Sequence, residues 1–148
     1  MKKINAFYRM LMIFILISLS ARFAGFLRSW PEVLLMTMTL VFFFAGVSHF
    51  TKARHDFEKM VPPAIPARML IVYVTGVLEV VGAITLQIPS LQKITAVALI
   101  LFLIAVFPAN YYAAKSGTLF RGKAHLGVVQ RGLIQLGFIL ALYFGALA

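Results

Sequence analysis

Long apolar runs separated by short polar segments organise this sequence. Five such runs cover about residues 6–27, 31–50, 69–86, 93–113 and 126–147. Each is close to the roughly 20 residues that an α-helix needs to cross the apolar core of a bilayer. Backbone polar groups find no water inside a membrane, so runs of this kind are expected to be helices. The pattern predicts an all-α, polytopic membrane protein with five transmembrane helices.

The first run has two interpretations. It begins after two lysines, and Ser18-Leu-Ser-Ala21 resembles a weak cleavage site, as in a signal peptide. Apolar residues resume after Arg22, however, and the run is then long enough to span a membrane. We favour a retained transmembrane helix. The expected organisation is an N-terminal helix in residues 1–30 and a four-helix membrane domain in residues 31–148.

The longest polar connection, residues 51–68, divides into two parts. Residues 52–59 carry mixed charges and predict a short surface helix capped by Thr51. Three prolines follow within five residues, among them Pro62 and Pro66. Because proline removes a backbone donor and restricts its predecessor, this second part is expected to be extended.

The net charge of the chain bears on which partners it is expected to contact. The sequence has 14 Lys and Arg residues against 4 acidic ones, a net charge of +10. In a soluble protein this would suggest nucleic acid, but 62% of the residues are hydrophobic, so the lipid bilayer is the expected partner and nucleic acid is not.

Basic residues collect on one side of the five-helix arrangement, at Lys2, Lys3, Arg9, Lys52, Arg54, Lys59, Arg68, Lys115, Arg121 and Lys123. The asymmetry predicts a multi-pass protein of the cytoplasmic (inner) membrane with its N-terminus inside and its C-terminus outside.

Glu79 is the most costly residue of the apolar runs, because a carboxylate at the bilayer centre costs roughly 2.5 kcal/mol or more. Gly76 and Gly82 stand three residues before and after it. We expect these three residues to share one helix face, where the glycines admit a neighbouring helix and the acid points into the bundle. Glu79 is therefore the best candidate for a catalytic residue. A protonated acid with a purely structural hydrogen bond is an equally valid interpretation.

Other polar residues of the apolar runs fall at similar depths. They are His49 at the end of the second run, Asn110 late in the fourth, and Arg131 and Gln135 early in the fifth. With a rise of about 1.5 Å per residue, all lie between the cytoplasmic interface and the level of Glu79. This predicts one ligand-binding cavity open to the cytoplasm, with Glu79 at its floor, Arg131 as its partner and a mouth widened by Pro108.

Three of these polar residues also have interpretations that require no ligand. His49 alone would be an interface residue, Arg131 alone could reach to the headgroups, and Asn110 could satisfy carbonyls that Pro108 leaves unpaired.

The order and spacing of five short motifs resemble the DoxX-like family of small membrane proteins. The motifs are Gly46-Val-Ser-His49-Phe50, Met60-Val-Pro62 with Pro66, Thr75-Gly76-Val-Leu-Glu79-Val-Val-Gly82, Val106-Phe-Pro108-Ala-Asn110, and Arg131-Gly-Leu-Ile-Gln135. The resemblance covers about Pro31 to the C-terminus and implies a four-helix bundle with the first run as an addition. We expect structural roles for Gly46, Pro62, Pro66, Gly76, Gly82 and Pro108. The family often has proline within the last motif, where this chain has Gly132 and Leu133.

The resemblance also implies a function, because some DoxX-type chains are subunits of quinone-linked oxidoreductases. We expect a small component of a quinone-linked redox or oxidative-stress system, with a quinone as ligand; whether the chain is itself an enzyme stays open. His49, Asn110, Arg131 and Gln135 could donate hydrogen bonds to quinone carbonyls, and Glu79 could supply protons. A redox protein partner and a homo-oligomer are compatible with this hypothesis.

The chain offers no means of carrying electrons by itself. It has no cysteine, only His49 lies within an apolar run, and there is no dinucleotide motif. We therefore expect neither a metal site nor a covalently bound cofactor. The alternatives to a redox component are a small transporter that uses Glu79 as a proton-coupling acid, an assembly factor that relies on Gly76 and Gly82, and a polar cluster that only holds the bundle together.

Overall fold

The computed structural model describes residues 6–120, 122–124 and 126–148, without the side chains of residues 6, 7, 123 and 124. The elements in chain order are α1 (Ala6–Phe23), α2 (Trp30–Ser48), α3 (Arg54–Met60), α4 (Arg68–Thr85), α5 (Gln92–Lys115), β1 (Leu119–Phe120), β2 (Lys123–Ala124) and α6 (Val128–Ala146). The strands are two residues each and pair antiparallel, Leu119 with Ala124. Apart from this hairpin the described chain is helical, which confirms the all-α prediction.

Four of these helices, α2, α4, α5 and α6, are long and apolar enough to cross a membrane. The chain is therefore a small multi-pass membrane protein. α2 packs against α4 and α6, and α5 packs against the same two helices, so the four form a ring in the order α2, α4, α5, α6. Their shared core contains Met38 and Phe42 of α2, Leu99 and Leu103 of α5, and Leu142 of α6.

The first apolar run forms helix α1, which packs along α2 on the outside of the ring. The contact includes Phe14, which is buried and stacks on Phe44 with ring centroids 5.2 Å apart. That α1 crosses the membrane as a fifth span stays a prediction, as does the division of the chain at residue 30. Lys2 and Lys3, on which the orientation argument drew, lie outside the described residues, as does Arg121.

Helix α2 begins with a cap that its sequence encodes. The N–H of Glu32 donates to Ser29 Oγ, and the Glu32 carboxylate accepts from the N–H of Arg28 at 2.7 Å. Pro31 occupies the first turn, where its missing N–H leaves no unpaired group. These contacts give α2 a sharply defined start.

The connection between α2 and α4 has the two predicted parts, with two corrections. A short helix, α3, forms at Arg54–Met60, but Thr51 is not its N-cap. Ala53 takes that position without a side-chain bond, while the Thr51 hydroxyl donates to the Ser48 carbonyl and accepts from the N–H of Ala53. The proline segment after α3 is not helical, but the predicted extended conformation is wrong, because the N–H of Ile65 donates to the Pro62 carbonyl at 3.0 Å and closes a turn.

Helices α2 and α4 meet at two glycines. A methyl group added to Gly46 would lie 2.8 Å from the Gly76 carbonyl oxygen and 2.9 Å from Glu79 Cβ. One added to Gly76 would lie 2.6 Å from His49 Cβ. Both distances are shorter than van der Waals contact, so only hydrogen fits at either position, and the two backbones come close together.

Gly82 has a different neighbour from the one expected. A methyl group at Gly82 would lie 2.6 Å from Leu99 Cδ2 of α5, not against α2. The prediction that Gly76 and Gly82 share one face is therefore wrong in detail. Three residues advance an α-helix by about 300°, so two such steps turn the second glycine by about 120° away from the first. In α4, Gly76 therefore faces α2 and Gly82 faces α5.

The glycine contact generates a stability prediction. Gly46→Ala should lower the free energy of unfolding by about 1–3 kcal/mol, because the added methyl group forces the α2 and α4 backbones apart. Unfolding in mixed detergent micelles, followed by circular dichroism, measures the loss. Gly137→Ala is the matched control, since nothing lies within 4 Å of a methyl group there, and its stability should be unchanged or slightly higher. Equal losses in both variants would contradict the close contact.

Candidate functional site

His49 is the residue that the glycine contact brings onto α4. It is the C-cap of α2, and only 8% of its surface is exposed. Its Nδ1 lies 2.8 Å from the Val72 carbonyl oxygen and 3.2 Å from Thr75 Oγ1, both on α4. The imidazole is thus held across the helix interface by atoms near the start of α4.

The second ring nitrogen of His49 faces Glu79. The distance from Nε2 to Glu79 Oε2 is 3.5 Å, which is within ion-pair reach. Oε2 itself is buried and makes no hydrogen bond to the described residues, because the geometry at this distance does not complete one with Nε2. The two residues are called the His49–Glu79 pair below. They put an imidazole and a carboxyl group together inside a membrane bundle, where both can exchange a proton.

Aromatic rings close this pair at the end of the bundle where α3 lies. Phe57 of α3 stacks on the His49 ring with centroids 4.1 Å apart and an interplanar angle of 18°. Phe120 of β1 packs against Phe57 in turn, at 5.1 Å. Instead of the predicted open mouth above Glu79, this end of the bundle has a packed aromatic cover.

Arg131 has a different partner from the one predicted. Its Nη1 donates to Asn110 Oδ1 at 2.7 Å, and its Nε donates to the Leu126 carbonyl at 3.3 Å. The ion pairs among described residues do not join Arg131 to Glu79, so the predicted salt bridge is wrong. Depth along a helix sets the level of a side chain but not its direction, and in the ring α4 and α6 stand at opposite corners. Asn110 belongs to α5, the neighbour of α6.

Gln135 lies one turn beyond Arg131 and also turns toward α5. Its Nε2 donates to the Leu103 carbonyl at 2.8 Å. This carbonyl belongs to the turn before Pro108, where the missing proline N–H leaves the Ile104 carbonyl without its helical donor. Gln135 therefore ties α6 to the weakened part of α5.

The five candidate ligand-binding residues thus form two groups rather than one cavity. His49 and Glu79 meet between α2 and α4, whereas Asn110, Arg131 and Gln135 meet between α5 and α6. That any of them binds a ligand stays a prediction.

A groove of about 390 Å³ runs between α5 and α6 beside the second group. Its lining consists of Ile104, Phe107, Pro108, Gly132, Gln135, Leu136 and Ile139. Ile104 and Leu136 are more than half exposed, so the groove opens on the outside of the bundle, where lipid would lie. Gly132 has nothing within 4 Å of an added methyl group, and its missing side chain leaves the space that forms the groove. Pro108 borders this external groove instead of a cytoplasmic cavity.

Some residues at these sites carried weak signals in the sequence. Thr75 stands four residues before Glu79 and therefore on the same helix face, where a hydroxyl can reach the partner of the acid. Phe57 is a large apolar residue within a charged segment, which is typical of a surface helix with one buried side. Nothing in the sequence pairs Phe57 with His49 or with Phe120.

Comparison with known proteins gives one family match. A family model described as DUF8561, a domain of unknown function, matches residues 38–144. Neither the curated proteins nor the solved structures include one that matches the chain. The matched range begins within α2 and contains both polar groups and the groove.

The observed pairing of Arg131 with Asn110 and the expected pairing with Glu79 predict different energetic couplings. A double-mutant cycle of Arg131→Met and Asn110→Ala should give a coupling of about 0.5–3 kcal/mol, because the two side chains share a hydrogen bond. The same cycle with Glu79→Gln should be additive within about 0.5 kcal/mol. Detergent unfolding of the single and double variants measures both. A larger coupling to Glu79 than to Asn110 would contradict the observed arrangement.

Proposed function

The chain belongs to the family described as DUF8561, a domain of unknown function, and we propose that it is a small membrane component of a quinone-linked redox or oxidative-stress system. The quinone ring binds in the groove between α5 and α6. The observation that carries this proposal is an apolar, lipid-facing groove with a side-chain amide in its lining, beside a partly buried arginine–asparagine pair.

The groove has the dimensions and chemistry that suit an amphipathic ring. Its volume of about 390 Å³ lies within the roughly 300–1,000 Å³ of small-molecule sites. Most of its lining is apolar, and Gln135 supplies a polar group that can orient a ligand. A quinone combines a flat ring, two carbonyl acceptors and an apolar tail, and the open side of the groove leaves the tail in lipid.

Hydrogen-bond donors are available at one end of this groove. A primary amide has two N–H groups, and Gln135 uses one for the Leu103 carbonyl, which leaves the other for a quinone carbonyl. Arg131 is one turn away on the same face of α6. Its positive charge would stabilise the electron density that accumulates on a ring during reduction.

Redox chemistry in this proposal requires a second molecule. The chain has no cysteine, so electrons come from a redox protein partner or a diffusible donor. Reduction of a quinone to a quinol consumes protons as well as electrons, and Glu79 is our candidate for their source. The resemblance to DoxX-like proteins, some of which serve quinone-linked oxidoreductases, supports the same assignment.

The proposed orientation places the N-terminus in the cytoplasm. α3 and the β-hairpin then lie on the cytoplasmic side, together with Lys52, Arg54 and Lys59 around α3, Arg68 at the start of α4 and Lys115 at the end of α5. Basic residues at membrane boundaries prefer this side.

One alternative has an observation in its favour. The His49–Glu79 pair is a titratable pair within the bundle, as a proton-coupled transporter would need. Transport would appear as proton-driven uptake into proteoliposomes that Glu79→Gln abolishes. An assembly factor has less support, because Gly76 and Gly82 face neighbours inside the bundle and not an outside partner.

A pair of glycine substitutions tests the quinone proposal. Gly132→Phe should fill the groove, since a Cβ atom there has nothing within 4 Å, and should weaken binding of short-tailed ubiquinone and menaquinone analogues at least about tenfold, which corresponds to about 1.4 kcal/mol. Titration of purified protein in lipid nanodiscs measures the affinity. Gly137→Phe adds the same side chain to the same helix away from the groove lining and should bind as the wild type does. Equal binding by the wild type and Gly132→Phe, or none by the wild type, would reject the proposal.

A further inference from the structure

We propose that His49 and Glu79 hold a single proton between Nε2 and Oε2, in a site that Phe57 shields from water. The proton is the ligand of this site. The inference rests on the contacts of the pair and is independent of quinone binding in the groove.

The contacts of Nδ1 fix the tautomer of His49. A backbone carbonyl only accepts hydrogen bonds, so Nδ1 carries a hydrogen toward the Val72 oxygen 2.8 Å away. The Thr75 hydroxyl donates to the carbonyl of Ile71 or Val72, at 2.9 and 3.0 Å, so its oxygen is a second acceptor beside Nδ1. With Nδ1 protonated in every state, only Nε2 can gain or lose a proton.

The number of protons on the pair follows from charge and geometry. Without a proton, the Nε2 and Oε2 lone pairs would face each other at 3.5 Å, and the carboxylate would be a buried anion without a cation. With a proton on both atoms, the pair would be a buried cation. One proton makes the pair neutral overall, either as imidazole with carboxylic acid or as imidazolium with carboxylate, and it places a donor opposite an acceptor.

Among the described residues, no further charged side chain forms an ion pair with His49 or Glu79. Lys59 pairs instead with Asp56. Oε2 is buried and receives no hydrogen bond from another residue of the described chain. A donor for Oε2 therefore has to come from Nε2 or from its own proton.

Phe57 controls the route of this proton to water. Its ring stacks on the imidazole with centroids 4.1 Å apart, and the Phe120 ring packs against Phe57 at 5.1 Å. The seven-residue helix α3 that carries Phe57 stands between a turn and the irregular proline segment, so it is attached on both sides by non-helical chain. Exchange of the proton with water requires α3 to move away from His49.

The first experiment counts the proton in the wild-type protein at pH 7. Nitrogen NMR of histidine-labelled protein in lipid nanodiscs reports both ring nitrogens of His49. The chain has three histidines, so the signals that remain after His55→Gln and His125→Gln belong to His49. Infrared spectroscopy of the Glu79 carboxyl group, assigned by elimination with Glu32→Gln, Asp56→Asn and Glu58→Gln, reports its protonation.

The expected result is a protonated Nδ1 together with one further proton, on either Nε2 or Glu79. The proposal is overturned by a bare Nδ1, by a bare Nε2 beside an ionised Glu79, or by protons on both Nε2 and Glu79.

The second experiment tests the shield. Phe57→Ala should accelerate hydrogen–deuterium exchange of the His49 N–H groups at least about tenfold, because water gains access to the ring. Phe50→Ala is the matched control, since Phe50 also stacks on a ring near this interface, that of Tyr73 at 5.9 Å, but does not touch His49 through a ring contact. No acceleration in Phe57→Ala, or equal acceleration in both variants, would show that Phe57 is not the barrier.

Discussion

The close approach of α2 and α4 at Gly46 and Gly76 is the constraint on which the rest of this structure depends. Neither position has room for a methyl group, so the backbones meet directly. His49 follows Gly46 by three residues and is thereby set against α4, with its ring between the Val72 carbonyl and the carboxyl group of Glu79. The glycines thus do more than join two helices, because they give a costly membrane carboxyl group its partner.

The ring order of the helices separates the polar residues into two interfaces. α2 and α4 hold the His49–Glu79 pair under an aromatic cover, and α5 and α6 hold the Arg131–Asn110 pair beside a lipid-facing groove. The first interface suits proton exchange and the second suits an apolar ligand with a polar end. In the function that we propose, the proton is therefore held between α2 and α4, and the quinone ring binds between α5 and α6.

Much of the fold could be predicted because a membrane limits what a chain can do. The length of an apolar run and the absence of water force a helix, and four of the predicted spans are present, each within two residues of its expected ends. Local chemistry also sufficed for a short helix before the proline segment. The rise per residue placed His49 and Glu79 on levels from which they could meet.

The sequence by itself determined the helices, their order and the approximate depth of each polar residue, because these depend on neighbours along one chain and on the thickness of the bilayer. Only the tertiary structure decided which side chains meet. Arg131 was expected to reach Glu79 and instead binds Asn110, since the direction of a side chain depends on how each helix is rotated and which helix stands beside it. The contact between Phe57 and His49 also depends on the tertiary structure. It joins α3 to the end of α2, and the hydrophobic pattern of neither helix specifies it.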